Sequence, residues 1–184
     1  MPARGRARVL SAREFDSVVA AAAGSHALRN QVLLYLAFDL GLVVRELTGL
    51  EVGQVAQASG RLRREVSLPG RALPLKSPAL RRALRGYLSE RSEGGKAPVK
   101  SPLFVSQRGL RFSANSLQQV FARLFIAAGI EGASSYSGRQ TFAERLVSQE
   151  VSPGVLAKLL GISVVAASYY YPDVDPDLDV GALL

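Results

Sequence analysis

Arginine is the residue type with which this chain can do chemistry. Nineteen of its 23 cations are Arg and four are Lys (Lys76, Lys96, Lys100 and Lys158), against 15 acids. A guanidinium presents a planar fork of donors that fits phosphate oxygens two at a time, whereas an ammonium acts as a point charge. The formal net charge is +8, yet Asp173, Asp175, Asp177 and Asp179 all stand in the last twelve residues. Without those four the chain has 23 cations against 11 acids, a body of +12. A GC-rich coding bias accounts for the ratio of Arg to Lys but not for the surplus of charge, so polyanion binding is the chemistry to expect. Other chemistries are closed by residue type. With no Cys there is neither a disulfide framework nor a thiolate metal site, and the single His26, in a polar setting, rules out imidazole clusters. No metal and no cofactor are expected.

The elements that must carry these arginines follow from periodicity and from caps. Ser11-Ala-Arg-Glu14 has the capping-box pattern and opens a predicted helix to about Ala23, where Gly24-Ser25 stops it. A second helix is predicted over 28–40, with Val32, Leu33, Leu36 and Ala37 on a wide apolar face, and a third over 44–50. Residues 61–68 and 71–75 alternate in polarity about Pro69-Gly70, which predicts a β-hairpin. Further helices are predicted from Ser77-Pro78, over 113–128, 137–149, 153–160 and 164–171, with a loop at 93–98. The fold class is mainly α with a small antiparallel β-sheet, in one domain over 11–172. A basic arm (1–10) precedes that domain and an acidic, apolar-ended tail (173–184) follows it. The longest apolar stretch, residues 32–44, contains Asp39 and is too short for a bilayer. The basic start leads into no signal core, so a cytoplasmic protein without membrane contact is expected.

Two segments make the pattern specific. The first is Gly41-Leu-Val-Val-Arg-Glu-Leu-Thr-Gly-Leu50. The second is Tyr136-Ser-Gly-Arg-Gln-Thr-Phe-Ala-Glu-Arg-Leu146, continuing to Leu159-Leu-Gly-Ile-Ser163 and Tyr169-Tyr-Tyr-Pro172. Together they resemble the catalytic domain of the tyrosine recombinases, the phage-integrase family, over nearly the whole chain. The resemblance implies the DNA breaking-rejoining fold. In that chemistry a tyrosine attacks a DNA phosphodiester, two arginines neutralise charge on the non-bridging oxygens, and a lysine with His or Trp helps the leaving oxygen.

Carried over residue by residue, the site is depleted. Glu46, Leu47 and Leu50 fix the register and put Val43 where the first arginine belongs. Arg45, two residues on and ~200° around a helix, is expected to point elsewhere. Tyr136 replaces the histidine and is either a helper or a core aromatic. Arg139 keeps the second arginine, Ile162 takes the His/Trp position, and Tyr171 falls at the spacing of the nucleophile. On a continuing helix Tyr169 and Tyr170 would stand ~200° and ~100° away from Tyr171. The hairpin offers no lysine, and Arg64, Arg71 and Lys76 are its nearest cations. The Arg81/Arg82/Arg85 face reads as a solvated helix face that adds to the positive field.

The resemblance therefore implies a duplex-DNA-binding protein, catalytically inactive, that regulates or assists a mobile element, plasmid or phage. Arg139 and Tyr171 would be vestiges of the catalytic set. Arg4, Arg6, Arg8, Arg64, Arg71, Lys76 and Arg139 would contact DNA. Family members carry an additional helical domain that closes around DNA. Only about ten residues precede the first helix here, so the arm is expected to stand in for it in part. One alternative is an active, divergent recombinase or integrase that forms a phosphotyrosyl link. Another is a module that docks on an active recombinase. Tail residues Leu178, Val180, Leu183 and Leu184 would pack on a neighbouring protomer or on their own domain, or the tail would only repel DNA.

Overall fold

A computed structural model describes residues 6–92 and 98–171; Arg4, most of the predicted loop and the tail lie outside the described residues. Helix α1 (Ala12–Ala21) starts at the predicted box: Glu14 N–H donates to Ser11 Oγ, and the Glu14 carboxylate accepts from Ser11 N–H at 2.8 Å. Helix α2 (Ala27–Leu40) is the central element. Seven of its apolar side chains are buried, so its apolar face is nearly all round, as a helix enclosed by others requires. It packs against α1, α4 (Pro78–Arg91) and α6 (Ser137–Val147).

Gly41 (φ +66) ends α2 in the left-handed region, and the chain enters α3 (Val44–Gly49) through the extended residue Val43. Strands β1 (Glu65–Leu68) and β2 (Arg71–Pro74) pair antiparallel, Leu68 opposite Arg71, about the two-residue turn Pro69-Gly70. Ser77 caps α4 and Pro78 occupies its first turn. Helices α5 (Ala114–Ala127), α7 (Pro153–Leu160) and α8 (Val164–Ser168) complete the described residues. The mainly helical architecture with one small antiparallel sheet is the one expected.

Three local expectations are corrected. The hairpin begins at Glu65, not at residue 61, because residues 61–64 leave the ladder and only Leu62 makes a bridge, to Ala56. Helix α6 ends at Val147, and Glu150 turns at φ +57 ahead of α7. Helix α8 ends at Ser168, so Tyr169, Tyr170 and Tyr171 follow in turns and the helical phase assumed for the triplet does not apply.

The close approach of α6 to α2 places the site, and it rests on Gly138. A Cβ there would lie 2.8 Å from Cβ and 2.9 Å from the carbonyl oxygen of Ala37. A backbone atom of a buried helix cannot swing aside as a side-chain end can. Gly138→Ala is therefore expected to lose about 1–3 kcal/mol of stability by overpacking, despite the better helix propensity of alanine. Thermal unfolding measures it, and an unchanged melting temperature would mean that the two helices separate easily.

Candidate nucleic-acid interface

Four parts of the chain meet at a cleft of about 610 Å³: the α2–α3 corner, the hairpin turn, the start of α6 and the end of α7. Arg139, on the first turn of α6, is 9% exposed and ties three of them together. Its Nη1 donates to the carbonyl of Gly41 at 3.1 Å, its Nη2 to that of Leu160 at 2.7 Å, and Nη1 lies 3.9 Å from Glu46 Oε2. Glu46 Oε2 also accepts from Val43 N–H at 3.0 Å, which fixes the entry to α3. Leu160 O lies at the carbonyl end of α7, where a cation is favoured by the helix dipole.

Arg71 reaches the same carboxylate from β2. Its Nη2 stands 2.6 Å from Glu46 Oε1, and its side chain is 8% exposed. That approach lacks hydrogen-bond geometry, and among the described residues neither Nε nor Nη2 of Arg71 has a hydrogen-bond partner. The guanidinium lies beneath Gly161, which closes α7 at φ +65. A Cβ on residue 161 would meet Arg71 Nη1, the far end of a flexible side chain that would have to shift, and the left-handed φ itself favours glycine.

Arg45 lines this cleft and is exposed, contrary to the expectation that it points away from the surface Val43 faces. The physical reason is that Val43 is the extended residue ahead of α3 (φ −90, ψ 163), so a helical rotation cannot be counted from it. Val43 itself lines the cleft and contributes only methyl groups. Ile162 packs in the small apolar cluster of Phe142, Leu156 and Leu160. Tyr136 is 57% exposed and faces the cleft, which removes its reading as a core aromatic.

Tyr171 does not line the cleft. Its hydroxyl donates to the carbonyl of Val151 and its ring packs on the same cluster as Ile162; burial pushes its phenol above the ordinary tyrosine value. Arg64 and Lys76 are exposed just before and after the hairpin strands and outside the cleft. The described end of the arm lies along the body. Arg6 donates to the carbonyl of Tyr169, and Arg8 to that of Glu131 and to the Glu14 carboxylate. Arg81 turns onto the carbonyls of Arg63 and Leu75, while Arg82 and Arg85 are exposed.

A second, larger cleft of about 750 Å³ was missed by sequence reasoning. Arg29, Arg108, Arg111 and Arg123 line it, with Ser113 and Ser116 at the start of α5 and with His26; among the described residues no acid lines it. Arg29 is held over the Phe112 ring, 5.1 Å from its centre, with Nε and Nη2 donating to Asn30 Oδ1. Burial lowers its pKa from the usual arginine value, and the Arg123 charge adds to the effect. Arg111 Nη1 donates to the carbonyl of Thr48 at 2.8 Å, and its Nη2 lies 3.8 Å from Glu51. Gly49 and Leu50, between those two partners, line the first cleft, so the end of α3 separates two arginine-bearing clefts that adjoin.

The sequence profile described as "Phage integrase family" matches residues 8–177. A curated relative, the tyrosine recombinase XerC of Pelobacter propionicus, is 32% identical over 157 residues, which cover 83% of this chain and 50% of the relative. XerC of Corynebacterium efficiens is 30% identical over 170 residues, 90% of this chain and 53% of the relative. The chain thus spans about half the length of the curated relatives it matches. Among solved structures, the XerA recombinase superposes at a TM-score of 0.73 with 22% identity, covering 100% of this chain and 64% of the other. XerH site-specific recombinase bound to difH substrate in a pre-cleavage complex superposes at 0.71 with 19% identity, covering 99% and 55%. These structures share the fold. No helix among the described residues is long and apolar enough to cross a membrane.

Proposed function

The chain belongs to the phage integrase family, and from that premise we propose that it binds duplex DNA through its arginine-lined clefts without cutting the strand. The carrying observation is the pair of adjoining clefts, with seven arginines between them (Arg45, Arg71 and Arg139; Arg29, Arg108, Arg111 and Arg123) and, among the described residues, Glu46 as the one acid lining either. Such a surface supports contacts along a phosphate backbone and attracts DNA by its field. The cutting chemistry lacks its parts. Val43 and Ile162 bring alkyl groups where donors would be needed, and the Tyr171 hydroxyl is engaged away from the cleft. The protein then acts as a regulator or accessory factor of a mobile element, plasmid or phage. Arg6, Arg8, Arg64 and Lys76 add to its field.

Affinity for a labelled duplex of random sequence, followed by fluorescence anisotropy across salt concentrations, tests the reading. Each phosphate neutralised contributes about −0.9 to the slope of log K against log salt, so a slope of about −3 or steeper is expected for several arginine contacts. An affinity that stays flat from low to moderate salt would remove DNA from the account. It would favour a second reading, docking on another recombinase, for which the exposed Val155, Val164 and Val165 on the packed helices α7 and α8 supply apolar surface.

A further inference from the structure

We propose that Arg71 is the second phosphate-gripping arginine of the cleft, doing from β2 what the residue at position 43 cannot do here. The assignment rests on the DNA-binding reading and adds to it which group takes the phosphodiester. Three observations converge on Arg71. Its side chain is more than nine-tenths buried, yet among the described residues Nε and Nη2 have no hydrogen-bond partner. Those two nitrogens form one edge of the guanidinium, the edge that fits two oxygens of a tetrahedral phosphate side by side. A buried charged donor whose ion pair supplies no hydrogen bond is unfavourable, and it marks a place where a better-aligned acceptor belongs.

The position is the second observation. Arg71 and Arg139 share Glu46, one on each carboxylate oxygen, so two guanidiniums stand beside one acid and Arg45 adds a third cation at the rim. Glu46 cannot serve both fully, because its Oε2 also holds Val43 N–H. The third is the missing side chain at Gly161, which gives Arg71 its seat against the carbonyl end of α7, next to the Leu160 carbonyl that holds Arg139. Arg139 is fixed by two carbonyls, whereas among the described residues Arg71 is held by an off-axis ion pair alone. Rotation about its terminal torsions turns that edge into the cleft that Arg71 itself lines, where a non-bridging phosphate oxygen replaces Glu46 as its partner.

The salt titration separates this assignment from the reading beneath it. Arg71→Gln is expected to weaken duplex binding roughly tenfold or more and to make the salt slope shallower by about 0.9. Arg71→Lys keeps the charge and loses the fork, so the slope stays while affinity falls. Glu46→Gln preserves an acceptor for Val43 N–H and removes the competing charge, so affinity should rise, a gain that a merely weakened fold does not produce. If wild type binds DNA and all three variants bind as wild type does, with only their melting temperatures lowered, Arg71 is a structural partner of Glu46 and the assignment fails alone. Should wild type itself not bind, both readings fail together. If Arg71→Gln does not fold, Glu46→Gln and Arg71→Lys decide: unchanged affinity in both overturns the proposal.

Discussion

A nicked suicide substrate, designed to trap a phosphotyrosyl intermediate, is expected to yield no covalent product over hours with this protein. The assay registers even one turnover per molecule, so a blank is informative. Removal of one charge-stabilising donor slows such reactions about a hundred- to a thousandfold, and removal of a general acid about a hundred- to ten-thousandfold. The factors do not simply multiply, because groups of one site act together. On the proposed reading Val43, Tyr136 and Ile162 stand where three groups of the family's set belong, and Tyr171 donates its hydroxyl to Val151 with its phenol raised by burial. A phenol above its ordinary value is still harder to ionise at neutral pH. An adduct that disappears in Tyr171→Phe would overturn the binding-only reading and require α8 and its following turn to move. One that disappears in Tyr136→Phe instead would make the exposed phenol of the cleft the nucleophile. Conversely, Val43→Arg, Tyr136→His and Ile162→His together restore three groups, and cleavage by that variant would support the vestigial account.

What the sequence discloses about this site depends on how local each relation is. The Ser11–Glu14 box and the turn at Pro69-Gly70 are short-range patterns, and each recurs in the structure at the residues that carry it. The error over Arg45 has a local cause as well. A period of 3.6 was extended across Val43, where the backbone is extended and no helical phase exists. The same applies to Tyr169–Tyr171, since α8 stops at Ser168. Relations across long separations were not legible. Arg29, Arg108, Arg111 and Arg123 come from three distant stretches, and the packing of α5 against α1 and α3 helps gather them around one cleft. Their absence from any motif is why charge counting found the surplus but not its location. The pairing of Arg71 and Arg139 on one carboxylate is equally non-local, with the hairpin, α3 and α6 each supplying one member.

Arg139→Ala is expected to lower stability as well as DNA affinity, and the stability loss should be the larger signal. From sequence, Arg139 is a phosphate contact whose removal leaves the fold alone. Its surroundings add a second duty, because its guanidinium fills the acceptors of Gly41 and Leu160 in the interior. A buried polar group left without its partner costs about 1–3 kcal/mol, so two orphaned carbonyls and the lost packing amount to about 2–5 kcal/mol. For a chain of this size that is a fall of about 5–15 °C in melting temperature, measurable by circular dichroism. The loss concentrates where the α2–α3 corner meets the end of α7, so the cleft should loosen before the core around α2. Hydrogen exchange would show this as early exposure of residues 41–47 and 160–163. Arg139→Lys keeps a cation beside Glu46 but reaches at most part of the carbonyl pair, and an intermediate loss follows. A melting temperature unchanged in Arg139→Ala, with DNA affinity alone reduced, would mean that the two carbonyls find other donors and that Arg139 serves the ligand only. A large thermal loss with unaltered affinity at low temperature, where the variant is folded, would instead make Arg139 the clasp of the cleft and leave phosphate binding to Arg45 and Arg71.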